Sequence, residues 1–456
     1  MRITQLWFLL GVTASISCLA SCSSDSGGPG RNDVLTSPEK SWGTATLVEA
    51  QDVPANDAQV MLFDQGDALA VWQAGVASRG GRRIYVSRYT PGGAWTPPQI
   101  IDGISGDAFS PQLAASNRGD VVVVWTEVAA DNSGQHIYAN TYTDEVGWSN
   151  AQTLGAAGHQ EFPQVAMNTD GTAIAVWQQM DNLGVKSIAS NRFTPETGWE
   201  AGLAIDQADD LVSLPDVAID AAGNGIATWL DRPPSGNNDL VSSRFTNGIG
   251  WNVAEAVESL DGAAYVYAVA LDSIGNGLAT WRHFDNAGHG LYSSRFEANT
   301  GWAEAVEIGL SDGVPGRSSL ALAADGDAIV VWEQDNGSTT DIYATRRHSN
   351  GVWDDPQTID HLDGIAGFPQ VATDANGNAI AVWRQFDGET DSIFAAMYEP
   401  QEGWGPQLSL EFENGPSARW YEAHAPTIVM NPSGDALVVW TQFDGDHYSI
   451  YANSFN

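Results

Sequence analysis

Short, fully apolar runs that end in tryptophan recur along the chain, as in VVVVW at Val121–Trp125 and AIAVW at Ala379–Trp383. Both faces of such a run are apolar, so a strand built from it must be covered on both sides. Each run is preceded by a turn rich in Asp, Asn and Gly and followed by a polar loop. The segment Phe162–Trp199 shows the whole unit: a first strand at Pro-Gln-Val-Ala, a turn with Asp170 and Gly171, a second strand ending at Trp177, a third at Ser187–Phe193, and a fourth opening at Gly198-Trp199. No segment has the period of a helix.

The tryptophans set the count. One ladder runs Trp42, Trp95, Trp148, Trp199, Trp251, Trp302, Trp353, Trp404, and a second runs Trp72, Trp125, Trp177, Trp229, Trp281, Trp332, Trp383, Trp440. Only Trp7 and Trp420 fall outside them. With no helix to cover the strands, each four-stranded unit must be covered by its siblings, and an open stack would leave large apolar faces at its ends. The pattern therefore predicts an all-β protein, an eight-bladed β-propeller of four-stranded antiparallel blades over 42–456. The repeat opens at Trp42 with a fourth-strand motif and stops after the third-strand motif SIYANSF, so the N-terminal strand is expected to complete the last blade. On these repeats the chain resembles bacterial β-propeller repeat proteins, a resemblance that implies architecture more than activity.

The N-terminus reads as an export signal over 1–21, with Arg2, an apolar stretch from Ile3 to Ile16, and small residues before Cys22. Leu19-Ala20-Ser21-Cys22 resembles the lipobox of bacterial lipoproteins. That resemblance implies cleavage before Cys22, a lipid on its thiol, and, because Ser23 follows, the outer membrane. Residues 22–41 then form a polar Gly/Ser/Pro tether with a coil span of roughly 25 Å. The membrane is the expected partner through this lipid. Both cysteines lie in the leader segment, so the repeats have no thiol chemistry to offer. A net charge of −38 argues against nucleic acid as a partner, because phosphate recognition needs a basic face.

Candidate chemistry divides into what recurs and what breaks the repeat. The Asp/Asn/Gly hairpins, such as DAAGNG from Asp220 and DANGNA from Asp374, faintly resemble calcium loops, so Ca2+ is kept as a possible cofactor. They lack the distal bidentate Glu, and a tight turn needs the same residues. A recurring Trp-x-Gln-x-Asp, at Trp177, Trp383 and Trp440, allows either a ligand-binding ring or a structural cap, and its repetition favours the cap. Arg88, Arg192, Arg244 and Arg295 occupy one repeated position and read as scaffold. No metal site, zinc motif, nucleophile elbow or phosphate loop is present.

Two segments break the pattern. The interval from Trp404 to Trp440 is 36 residues where the other seven are 29 or 30, and its surplus carries Arg419, Trp420, Tyr421, Glu422 and His424. The loop after Trp72 carries Arg79, Arg82 and Arg83 in an otherwise acidic protein. Flat rings with polar tips suit a sugar face or a protein partner, and an arginine cluster suits carboxylate, sulfate or phosphate. The expected ligand-binding residues are therefore Arg79, Arg82, Arg83, Arg419, Trp420, Tyr421 and His424, with no catalytic residue assigned. The sequence favours an envelope-anchored binding or scaffolding propeller for a glycan or protein partner over an enzyme. The alternatives are a glycan-active hydrolase or lyase using carboxylates and His, and a purely structural envelope subunit.

Overall fold

The computed structural model describes residues 40–49, 52–76, 81–103, 106–129, 134–155, 158–206, 211–232, 236–323, 325–386, 388, 390–411 and 425–456. Among them there is no helix, and the strands form eight separate antiparallel sheets. The sheets follow one another along the chain as blades 1 (55–100), 2 (106–153), 3 (159–204), 4 (213–256), 5 (263–307), 6 (314–358), 7 (366–409) and 8 (427–455). In each, the second strand lies between the first and third, and short two-residue strands pair along the outer edge. The first strand of every blade touches the first strand of the next, and that of blade 8 touches that of blade 1. The first strands thus ring the axis, and the molecule is a closed eight-bladed propeller.

The closure is as the repeat register predicts. Thr46 pairs with Ala452 and Leu47 with Tyr451, so the N-terminal strand Thr46–Leu47 supplies the outer strand of blade 8. Trp42 bridges Phe455, and Val48 N donates to Ile450 O at 2.8 Å. Thr427 Oγ1 of blade 8 reaches Ala58 O of blade 1 at 3.2 Å. One apolar cluster runs across this seam, joining Val429, Leu437 and Val439 to Ala68, Ala70 and Trp72.

Both tryptophan ladders have packing reasons. The second-strand tryptophans are all 1% exposed or less, each with its neighbours two and four residues back facing the preceding blade. The intervening residues of the run, such as Val122 and Val124, face the following blade. Burying one such ring contributes on the order of 4–6 kcal/mol as an upper figure, from its area alone. The half-buried ladder instead packs at a steep tilt against an aromatic ring at the end of the third strand, as in Tyr142–Trp148, Phe245–Trp251 and Tyr398–Trp404. That same ring often receives an arginine from the preceding blade: Arg88 lies 3.9 Å from the Tyr142 centroid and Arg346 5.7 Å from Tyr398. The repeated arginines therefore staple blade to blade, as their recurrence predicts.

Candidate functional site

The strand order puts the start of every first strand and the end of every second strand at one mouth of the channel. There the first strand is interrupted by a bulge, seen as a register shift in blades 1 to 7. Six of these bulges hold a non-glycine residue at positive φ: Asp57, Ser110, Phe162, Leu214, Val266 and Phe368. Bulges re-aim side chains, and left-handed backbone at non-glycine residues collects at functional sites because it has to be enforced by its surroundings.

Two consecutive positions after each buried tryptophan behave differently. In blades 6 to 8 the second residue folds back onto its own tryptophan: the indole Nε1 of Trp332, Trp383 and Trp440 donates to Gln334, Gln385 and Gln442 at 3.0, 3.1 and 3.0 Å. The Gln amide then donates onward to loop carbonyls, as from Gln334 to Asp312 and from Gln385 to Leu362. The Asp two residues later takes amides of its own turn, as Asp181 does from Leu183 and Val185, and Asp444 from Asp446 and His447. The recurring Gln and Asp are loop caps. In the first-to-second hairpins, Asp220, Asp272 and Asp374 likewise accept turn amides from Asn224, Asn276 and Asn378. Blade 2 substitutes Glu127 for the capping Gln. Burial pushes its carboxyl up to about 7 although Trp125 Nε1 donates to it.

The first residue after the tryptophan points to the following blade and bridges the two bulges. In blade 1 Gln73 donates to Asn56 and Asp57 at 2.6 Å and accepts from Ser110 N of blade 2 at 2.8 Å. In blade 6 the same bridge is a carboxylate: Glu333 accepts from Phe368 N of blade 7 at 2.7 Å and from Arg317 N at 3.3 Å. A Cβ added at Gly316 would strike that carboxylate, so glycine makes room for it. In blades 5 and 7 this position is Arg282 and Arg384.

These residues build a cationic sector across blades 5 to 7. Arg317 and Arg384 lie 4.5 and 4.9 Å from the Phe368 centroid, and Arg282 lies 5.0 Å from that of Tyr265. All six side chains belong to partly exposed residues. The one ion pair among them is loose, Arg317 to Glu333 at 3.8 Å. Arg282 and Arg384 have neither an ion pair nor a hydrogen bond among the described residues, and the Nε of all three arginines is buried without a partner. Burial lowers the Arg282 pKa, with Tyr265 and Glu333 opposing and the like charge of Arg317 adding to it. Arg282 and Arg317 thus share one carboxylate that is already committed to backbone amides, with Arg384 on the Phe368 ring that Arg317 also meets. An oxyanion entering this sector would supply the acceptors they lack.

Of the residues singled out in the sequence, Arg82 and Arg83 are placed and paired. Arg82 binds Asp107 through Nε and Nη2 at 3.0 and 2.7 Å and lies 4.3 Å from the Phe109 centroid, while Arg83 is forked onto the buried Asp102. Arg79, Arg419, Trp420, Tyr421, His424 and the lipidation candidate Cys22 lie outside the described residues. The mouth arginines stand in repeats of ordinary length, so no break in the Trp spacing marks them. The signal was in one column, the residue following each ladder tryptophan, which reads Gln, Thr or Leu in five blades and Arg, Glu, Arg in blades 5 to 7.

No protein-family model matches the chain, and no curated protein is similar to it in sequence. Solved structures do share the ring. The lectin BP39L of Burkholderia pseudomallei is 12% identical with a TM-score of 0.51, over 80% of this chain and 100% of the lectin. A polysaccharide lyase described as an ulvan lyase is 9% identical with a TM-score of 0.51, over 89% of this chain and 94% of the lyase. At such identities the similarity shows the fold alone: this chain is an eight-bladed β-propeller.

Proposed function

We propose that this protein is an envelope-anchored binding propeller that takes an acidic saccharide at the mouth, in the sector of blades 5 to 7. The observation that carries it is the set of three arginines, Arg282, Arg317 and Arg384, linked through the Phe368 ring and a single neighbouring carboxylate, Glu333, in a chain of net charge −38. Such a cluster self-repels, and a bound anion relieves that repulsion. Guanidinium forks fit carboxylate and sulfate groups in two-point contacts. A lectin and a polysaccharide lyase share the ring, so the scaffold is compatible with saccharide ligands, while the acidic class rests on the arginines. The lipobox-like segment ending at Cys22 supplies the anchor, and labelling with a radioactive fatty acid, lost in Cys22→Ser, tests it.

Binding to immobilised polygalacturonate, to its methyl ester and to neutral galactan tests the site. Expected is salt-sensitive binding to the free acid only, weakened about 10- to 100-fold in Arg282→Ala/Arg384→Ala. Equal binding to the ester, or an unaffected double variant, would overturn the assignment. A glycan-active second reading draws on Tyr265, whose hydroxyl makes no hydrogen bond among the described residues and whose ring lies beside Arg282. Release of shorter chains by wild type and not by Tyr265→Phe, with binding retained, would favour it.

A further inference from the structure

Blade 3 stands four places from blade 7 in a ring of eight, so its bulge lies across the channel from Phe368. That bulge also carries a phenylalanine, Phe162, with φ 55°. The two rings have opposite fates. Phe368 is flanked by two guanidiniums, whereas Phe162 is 37% exposed and has no ring or cation contact among the described residues. A bulky residue in left-handed backbone costs on the order of 1–3 kcal/mol, and a ring left more than a third exposed returns only part of that by burial. The other positive-φ bulges hold Asp57, Ser110, Leu214 and Val266 as well as Phe368, so the position accepts polar and aliphatic residues. The fold therefore does not ask for an aromatic ring here.

Its surroundings carry acceptors. Glu161, the preceding residue, takes the Gln178 amide at 2.7 Å and lies 3.4 Å from His159. Gln178 holds the bridging position filled by Gln73 in blade 1 and Glu333 in blade 6, but it does not take the next blade's bulge amide. Its Oε1 is buried without a donor, in a side chain that is 2% exposed. A partly exposed flat ring next in the chain to a carboxylate offers the chemistry that receives a sugar: carbon–hydrogen face on the ring, a hydroxyl on the carboxylate. Glu161 disfavours an acidic sugar at this point, unlike the arginine sector opposite.

We infer that Phe162 and Glu161 form a second saccharide subsite, for an uncharged sugar ring, so that the ligand is an oligosaccharide crossing the mouth with its acidic unit at blades 5 to 7. This rests on the acidic-saccharide reading for the far end of the ligand and on Phe162 for the near end. Calorimetric titration with three probes separates the two: glucuronate, a neutral xylo-oligosaccharide, and a xylo-oligosaccharide bearing one glucuronate.

Wild type is expected to bind the mixed chain about tenfold tighter than glucuronate, the size of one ring-stacking contact. Phe162→Ala and Glu161→Gln should remove that gain and leave glucuronate binding unchanged, whereas Arg384→Ala should weaken both. Phe162→Gly guards against a folding artefact, because glycine tolerates this φ. It should raise the melting temperature while losing the gain, the reverse of a merely structural role. A gain that survives Phe162→Ala overturns the subsite. Binding of the neutral chain that depends on Phe162, with no binding of glucuronate, overturns the acidic-saccharide reading and leaves the subsite standing. No binding of any probe overturns both.

Discussion

Two neighbouring positions on the same strand, one and two residues after each buried tryptophan, have opposite histories in this molecule. Gln334, Gln385 and Gln442 repeat in blades 6 to 8 because each accepts the N–H of its own buried indole, the same structural task three times over. Arg282, Glu333 and Arg384 lie beside the bulges at the mouth, Arg282 and Arg384 over rings of their own blades' bulges and Glu333 on the bulge amide of the following blade, where no packing rule dictates the residue. The period of a strand places the two side chains on opposite faces, so a single step along the chain moves from scaffold to candidate site. In a repeat protein, the column that varies within an otherwise constant strand is more informative than the constant one.

The contrast breaks first at the scaffold. Replacing Trp383, fully buried between blades 6 and 7, by Ala should cost about 3–5 kcal/mol, measured by chemical denaturation. A loss below about 1 kcal/mol would mean that the ladder does not hold the blades. At the mouth the opposite is expected. Arg282→Ala/Arg384→Ala should lose acidic-saccharide binding while the melting temperature holds or rises, since no ion pair or hydrogen bond of Arg282 or Arg384 is removed. A sharp fall in melting temperature would place these residues with the scaffold.

Glu127 sharpens the comparison because it accepts its own indole N–H, as Gln334, Gln385 and Gln442 do, but with a carboxyl in place of an amide. Its folded pKa, about 7, lies above the ordinary value of 4.5. The folded state therefore holds the proton more tightly than the unfolded chain, and stability is lost as pH rises from about 4.5 to about 7. Glu127→Gln should remove this dependence and gain roughly 1–3 kcal/mol at pH 8, with little change at pH 4. Unchanged denaturation midpoints across that range would show that the carboxyl is not held as described. Asp360 is pushed up to about 7 by burial, with Asp341 adding to it, and it acts in the same direction. The smallest effect belongs to Arg82. Its pair with Asp107 is partly exposed, so Arg82→Ala should cost no more than about 1 kcal/mol. It should leave polygalacturonate binding intact, and a marked loss of binding would extend the site toward blade 1.

Much of the fold was legible in the residues. VVVVW and AIAVW declared strands covered on both faces, and the two ladders gave the number of blades. The motif around Trp42 announced the closing pair with Phe455. Repetition also sorted the hairpin Asp, the Trp-x-Gln-x-Asp and the strand-end arginines into scaffold before any contact was seen. The candidate site was less legible. The partners of Arg82 and Arg83, Asp107 and Asp102, stand some twenty residues away and meet them only after the blades fold. Arg282, Arg317 and Arg384 lie in three different repeats and look like scattered surface charge in the chain.

The sequence by itself determined what depends on local period and mutual burial: strand, turn, repeat number and ring closure. These follow because alternation along a strand fixes which side chains share a face, and apolar faces have no other place to go. Only the tertiary structure decided which charges meet and which remain unpaired. Ring geometry brings residues about fifty and a hundred positions apart to one mouth, and a bulge at each first strand turns them there. Coulomb and hydrogen-bond terms act over a few ångströms of space, and separation along the chain says little about that distance.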